Sequence, residues 1–145
     1  MFYSINNNQL SIADKIENLS KYFTDIKELP SDYESGKYIV LDNKLTLNPD
    51  FQTQKQEKIS KLFLTRSDVE RAIYKAKGMD FDDILNFVST NPQEGLDIKA
   101  LKIELKANNF YRGNPYVSLV GSMLGFSPEQ LDNFFEDGNY EHLLV

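Results

Sequence analysis

The stretch NNFYRGNPY, from Asn108 to Tyr116, lies where one apolar helical pattern ends and another begins. Gly113 suits a left-handed residue that terminates a helix. Asn114 followed by Pro115 is a helix cap followed by proline at the first helical position. These rules account for the Asn, Gly and Pro residues of a helix-to-helix corner.

Four larger side chains in this stretch are not needed for a corner: Phe110, Tyr111, Arg112 and Tyr116. Tyr and Arg are enriched among interface anchors, so they can form a surface that binds a partner. Alternatively, the rings close the core while the guanidinium stacks on one of them or bonds the carbonyls that end the preceding helix. The structural alternative is favoured, and the binding alternative stays open.

Three helical patterns precede this stretch. The first runs from the cap Thr65 to Gly78, and the second follows within MDFDDILNFVSTNP. The third, 96–109, has apolar residues on two opposite sides, which predicts that Ile103 and Leu105 are both buried. Its lysines Lys99, Lys102 and Lys106 share the strip between those sides, as expected if only that strip reaches water.

Two further helices follow it, one over 115–124 and one that begins after Ser127. The outer side of the last helix carries an acidic stripe of Glu129, Asp132 and Glu136, and no Lys or Arg follows Arg112. Such a surface suits a basic partner, with nucleic-acid mimicry as the extreme case. A solvated acidic face that keeps the protein soluble is the favoured alternative.

Apolar residues near the start of the chain recur at steps of four and three: Ile12, Ile16, Leu19, Phe23 and Ile26. This spacing predicts an amphipathic helix. It also describes a short heptad seam through which a homo-oligomer can form, although packing on its own domain is favoured. The Pro, Ser, Asp and Gly residues of 28–36 then indicate a linker.

A β-hairpin is predicted next, from the runs Lys37–Leu41 and Lys44–Leu47 around Asp42-Asn43. Two strands are marginal alone, so the hairpin must pair within the chain or with a partner. Asn48 and Pro49 then predict the cap and first position of another helix.

Composition excludes several classes of protein. The chain has 145 residues, no cysteine and a formal net charge of −6, which disfavours disulfide or thiolate sites and general nucleic-acid binding. No apolar run approaches a membrane span, and no signal peptide is recognisable. We therefore expect a soluble, intracellular protein.

Catalytic signatures are absent from the sequence. His142 is the one histidine, and no phosphate loop, nucleophile elbow or metal-ligand spacing occurs. The acids Asp80, Asp82 and Asp83 are explained by the start of a helix, with a Mg²⁺ or Ca²⁺ site as the alternative. We predict no enzymatic activity, no cofactor and no metal.

Three segments between Leu62 and Phe135 resemble small uncharacterised proteins encoded in bacteriophage and prophage genomes, often near tail genes. They are LFLTRSDVERAIYKAKGMDFDDI, LDIKALKIELKANNFYRGNPYV and LGFSPEQLDNFF. The resemblance implies a phage context, and with it a location in the bacterial host cytoplasm or in the virion, and assigns no role to any residue. Within that context a tail or virion assembly protein competes with an inhibitor of a host defence nuclease, such as an anti-CRISPR protein.

The sequence thus predicts a mainly α-helical protein, with a compact bundle of about five short helices preceded by an amphipathic helix and a small β-hairpin. Residues 1–36 form the N-terminal helix and linker, and 37–145 form the hairpin and the bundle. The predicted function is that of a non-catalytic, phage-encoded protein-binding module, whose partner is a phage structural protein or a host defence effector. Direct nucleic-acid binding and membrane binding are not expected.

Overall fold

Short strands account for much of the fold, and the prediction of a mainly α-helical bundle with one hairpin is wrong. The computed structural model describes residues 1–144, which contain seven α-helices and seven strands in three small sheets. The chain forms two compact units, one of residues 1–54 and a second that begins at Lys55. The protein therefore belongs to the mixed α/β class.

The first unit begins with a hairpin of β1, Phe2–Asn6, and β2, Gln9–Ala13. Asn7 and Asn8 form its turn with φ of 51° and 59°, which Asn tolerates better than most side chains. A two-residue strand β3, Lys27–Glu28, pairs with the other edge of β1 and completes a three-stranded antiparallel sheet.

The predicted N-terminal amphipathic helix is therefore wrong over most of its length. Only α1, Ile16–Ser20, is helical, whereas Ile12 lies in β2, and Phe23 and Ile26 lie in the loop after α1. Their four-three spacing is real but does not lie on one helix, so these residues cannot form a coiled-coil seam. The Asn-Asn turn sets the pairing of β1 with β2. This pairing places Ile12, the first residue of the four-three spacing, in a strand.

The second hairpin is confirmed. Strand β4, Tyr38–Leu41, pairs with β5, Lys44–Leu47, and the turn residues Asp42 and Asn43 have φ of 49° and 61°. The turns of the two hairpins bind each other: the Asn8 N–H donates to Asn43 Oδ1 at 2.9 Å, and the Asn43 N–H donates to Asn8 Oδ1 at 2.7 Å. The hairpins of the first unit are thus joined tip to tip.

The loop before β4, predicted as a linker, is ordered by Asp32. Its carboxylate accepts hydrogen bonds from Lys37 Nζ at 2.6 Å and from Tyr38 Oη at 2.7 Å. The bond from Lys37, followed by that from Tyr38, lowers the pKa of Asp32 below its ordinary value. Tyr33 stacks on Tyr38 with 6.0 Å between the ring centroids.

Helix α2, Phe51–Ser60, begins in the first unit and ends in the second. It starts slightly later than predicted, although the Asn48 side chain still accepts a bond from the Asp50 N–H.

The second unit then has the following elements: β6, Phe63–Thr65; α3, Arg66–Lys77; α4, Phe81–Thr90; α5, Ile98–Glu104; β7, Asn109–Tyr111; α6, Pro115–Met123; α7, Pro128–Asp137; and a 3₁₀ turn, Tyr140–Leu143.

Several helix ends of the second unit are those that the sequence predicts. Thr65 caps α3, and Ser127 caps α7 through a reciprocal capping box with Gln130. Asp80 caps α4 in the same way with Asp83, which explains these two acids without a metal. Because such caps depend on neighbouring residues alone, their spacing is readable from sequence.

The core of the second unit is formed by apolar faces of its helices and closed by the 3₁₀ turn. Its most buried large side chains are Phe134, Ile84, Leu101, Leu143 and Val88. Phe81 packs edge-on against Phe110 with 5.5 Å between the ring centroids. Gly121 permits the close approach of α6 and α7, because a Cβ atom there would lie 2.7 Å from Leu131 Cδ1.

Helix α5 corrects a second prediction, because it is shorter than 96–109 and has one buried side. Leu101 is 1% exposed, Leu105 is partly buried against the core, and Ile103 is 71% exposed. The chain leaves the helix after Glu104 and enters β7 at Asn109, so no neighbouring element covers the second apolar side. The apolar spacing alone does not show which side has a neighbour.

We expect Leu101→Ala to lower the free energy of unfolding by about 2–5 kcal/mol, since it removes a buried side chain and leaves a cavity. Ile103→Ala, two residues away on the same helix, should change it by less than about 0.5 kcal/mol. Equilibrium unfolding in urea measures both. Similar losses at the two positions would contradict the one-sided packing of α5.

A second prediction concerns Asp32 and pH. A carboxyl group whose pKa is lowered by folding adds stability above its unfolded pKa and loses it as the pH falls through the folded value. The thermal midpoint of the wild type should therefore exceed that of Asp32→Asn at pH 7, and the difference should shrink as the pH falls below about 4 and vanish below the lowered pKa of the folded state. A difference that is constant with pH would show that the carboxylate charge is not what orders this loop.

Candidate partner-binding site

The stretch that begins at Asn108 is not a helix-to-helix corner but one strand of a two-stranded ribbon. Strand β7 pairs antiparallel with β6, with Leu64 opposite Phe110 and Phe63 opposite Tyr111. The pairing continues beyond the strands, because the Arg66 N–H donates to the Asn108 carbonyl at 2.8 Å and the Arg112 N–H donates to the Leu62 carbonyl at 2.9 Å. The ribbon thus connects the start of α3 with the start of α6.

Gly113 ends the ribbon for a different reason from the one predicted. It is absent from the residues with positive φ, so it does not serve as a left-handed terminator. Its N–H donates to the Ser60 carbonyl at 3.1 Å. A Cβ atom on Gly113 would lie 2.9 Å from both Cβ and the carbonyl oxygen of Ser60, and this close backbone approach requires glycine.

The strand alternation sends neighbouring aromatic residues to opposite sides of the ribbon. Phe110 is buried at 6% exposure and belongs to the core, together with the partly buried Leu64. Phe63 and Tyr111 are 53% and 49% exposed, and their ring centroids lie 5.5 Å apart. We call this exposed pair, Phe63 and Tyr111, the aromatic ridge.

Arg112 fastens the ribbon to the last helix. Its Nε donates to Asp132 Oδ1 at 2.7 Å, its Nη1 to Ser118 Oγ at 2.8 Å and its Nη2 to the Pro128 carbonyl at 3.3 Å. The side chains of Arg112 and Asp132 are 12% and 21% exposed. The guanidinium therefore has its hydrogen-bond partners within the chain. These bonds hold the neighbouring Tyr111 in place.

Tyr116 is also directed toward the core. It is partly buried against the core, while its backbone N–H donates to the Oδ1 of the cap residue Asn114 at 3.0 Å. Asn114 in turn donates through Nδ2 to Glu104 Oε2 at 3.0 Å. Of the four large residues in the stretch, Tyr111 is thus the one whose ring is substantially exposed.

The acidic stripe is divided by these contacts. Asp132 is paired with Arg112, whereas Glu129 and Glu136 are exposed. The adjacent Asp137 contacts His142, with 2.9 Å between Oδ2 and Nε2, and that hydrogen bond, followed by one from the Asn139 N–H, lowers the pKa of Asp137. Two carboxylates of the stripe therefore face solvent without a salt bridge in the described chain.

The interior of the second unit contains a cavity of about 70 Å³ with an almost entirely apolar lining. The polar side chains in its wall, Glu104 and Asn114, are bonded to each other. Among residues 1–144 no cluster of His, Cys, Asp or Glu has the arrangement of a metal site. No helix within the same range has the length and apolar character needed to cross a membrane.

No protein-family model, curated protein or solved structure matches this chain. The resemblance of residues 62–135 to phage-encoded proteins therefore stays a prediction.

Phe63 is the member of the aromatic ridge that the sequence analysis missed. It lies in the run LFLT, in which leucines alternate with a ring and a β-branched residue just before the cap of α3. That alternation indicates a short strand with Phe63 on the side opposite to Leu64. A three-residue run is too short to be distinguished from the end of a helix by its period alone.

Removing the charge of Asp132 should destabilise the second unit, because the partly buried guanidinium of Arg112 would lose its charged partner. We expect Asp132→Asn to lower the free energy of unfolding by about 1–3 kcal/mol. Glu136→Gln, on the same helix but exposed, should change it by less than about 0.5 kcal/mol. Urea unfolding of the two variants tests this, and equal effects would show that the ion pair does not hold the ribbon.

Proposed function

We propose that this protein is a non-catalytic protein-binding module and that the aromatic ridge is its contact surface. The observation that carries the proposal is that two large aromatic rings are exposed side by side on a ribbon whose other side chains attach it to the rest of the unit. Phe110 anchors the ribbon in the core, and Arg112 anchors it to α7. A rigid, exposed aromatic pair loses little conformational freedom when a partner covers it.

The energetics of aromatic contacts support this choice of surface. Aromatic side chains bury large areas at interfaces and are frequent among the few residues that dominate binding free energy. Cross-strand pairing stabilises the ribbon itself by only about 0.2–1 kcal/mol, so folding alone gives these exposed rings a modest benefit. The remaining apolar surface is available to a partner.

The biological setting that we propose is virion or tail assembly, and its support is the resemblance of residues 62–135 to proteins encoded near phage tail genes. Inhibition of a host nuclease through an acidic surface has less support, because Asp132 is engaged by Arg112 and the stripe is reduced to two exposed glutamates. An inhibitor could still use the aromatic ridge, so identifying the partner separates the two.

A binding comparison tests the ridge directly. Wild-type protein and Phe63→Ser/Tyr111→Ser would be used to capture partners from phage-infected bacterial cells, with quantification by mass spectrometry. We expect the double variant to lose its partner, with a cost upwards of about 2 kcal/mol in a subsequent affinity measurement, because both anchors are removed. Virion components as partners would favour assembly, and a host nuclease would favour inhibition.

Tyr74→Ser is the matched control, since Tyr74 is 63% exposed on α3 in the same unit and makes no contribution to the ridge. It should keep the partner. Circular dichroism of each variant shows whether the fold is retained. Equal capture by the wild type and the double variant would refute the ridge as the contact surface.

A further inference from the structure

A second exposed surface in this unit lies on α5, opposite the buried Leu101. Ile103 is 71% exposed, which makes it an isolated large apolar side chain on the outer side of the helix. Lys99 lies one helical turn before it on α5, Lys102 immediately precedes it, and Lys106 lies in the turn that follows the end of the helix at Glu104. We call these four residues the lysine face.

The lysines of this face are not used within the chain. All three are exposed, and none forms an ion pair among residues 1–144. Other cations of the same unit do have partners: Arg112 bonds Asp132, and Lys75 and Lys77 lie over the rings of Tyr140 and Phe126. The lysine face therefore presents unneutralised positive charge around an exposed apolar group.

The outer side of α7 has the complementary charge at the same spacing. Glu129, Asn133 and Glu136 are exposed and separated by four and three residues, as are Lys99, Ile103 and Lys106. The two glutamates, seven residues apart on α7, are about 10.5 Å apart along the helix axis, and they flank Asn133 in the sequence as Lys99 and Lys106 flank Ile103. Leu131, Phe134 and Phe135 occupy the buried side of α7, which leaves this acidic face outward.

We propose that the lysine face of one copy binds the acidic face, Glu129, Asn133 and Glu136, of a second copy. The pairing neutralises charge on both helices and covers Ile103. Two such contacts related by a two-fold axis produce a dimer, and one contact repeated head to tail produces a ring or an open chain. This inference does not use the aromatic ridge, so the two proposals can fail independently.

Sedimentation of the full-length protein tests the pairing. At about 0.01 M salt, where charges act over about 30 Å, the mass should rise above that of the monomer as the concentration increases. At about 1 M salt, where the range is about 3 Å, it should return to the monomer. A protein that is monomeric at every concentration and salt level would overturn the proposal.

Charge reversal of each face makes the test specific. Lys99→Glu/Lys106→Glu and Glu129→Lys/Glu136→Lys should each be monomeric alone, since each variant presents two faces of the same sign. Mixing them should restore association, because every acidic face then meets a basic one. Association of either variant alone at the wild-type level, or none in the mixture, would refute the assignment of the faces.

Two controls separate a specific interface from attraction by net charge. Lys21→Glu/Lys58→Glu changes the net charge as much as the lysine-face variant but alters exposed lysines elsewhere, and it should still associate. Ile103→Gln leaves the charge unchanged and should weaken association by about tenfold, because it removes the apolar contact at the centre of the face. An unchanged affinity for Ile103→Gln would show that the face is not the contact.

Discussion

The hydrogen bonds of Arg112 are the constraint on which the second unit depends. Through one guanidinium the chain joins the end of the β6–β7 ribbon to a carboxylate on α7, a hydroxyl on α6 and the carbonyl of Pro128. Few side chains other than Arg can make all three, because they need several donors in a fixed plane. Arg112, a candidate interface residue in the sequence, thus holds the ribbon, α6 and α7 together within the chain.

These hydrogen bonds of Arg112 change which surface is available to a partner. With Phe110 in the core and Arg112 paired, the strand alternation leaves Tyr111 outward and places it beside Phe63, a residue far away in sequence. The acidic stripe loses Asp132 to the same ion pair. The acidic face on α7 and the lysine face on and just after α5 then present opposite charges, which is a pattern suited to contact between copies.

The parts of this structure that were predictable from sequence are the local ones. Thr65, Asp80 and Ser127 cap helices through contacts three residues away, and Asp42-Asn43 makes its turn for reasons contained in the turn itself. The errors concern distant neighbours. Ile103 has no element over it, the apolar residues after Ser11 are divided among a strand, a short helix and a loop, and neither β6 nor β7 indicates its partner strand. Apolar spacing shows that a residue can be buried, but only the topology determines what covers it.

The long separation of β6 and β7 in the sequence affects when the aromatic ridge forms during folding. Three helices lie between the two strands. The rings of Phe63 and Tyr111 therefore come together only after the two ends of that intervening segment have met. A partner that requires both rings would ignore nascent or misfolded chains and bind completed ones. Such binding would also draw the folding equilibrium toward the native state by mass action. Recognition would then act as a check on maturation, admitting only finished subunits.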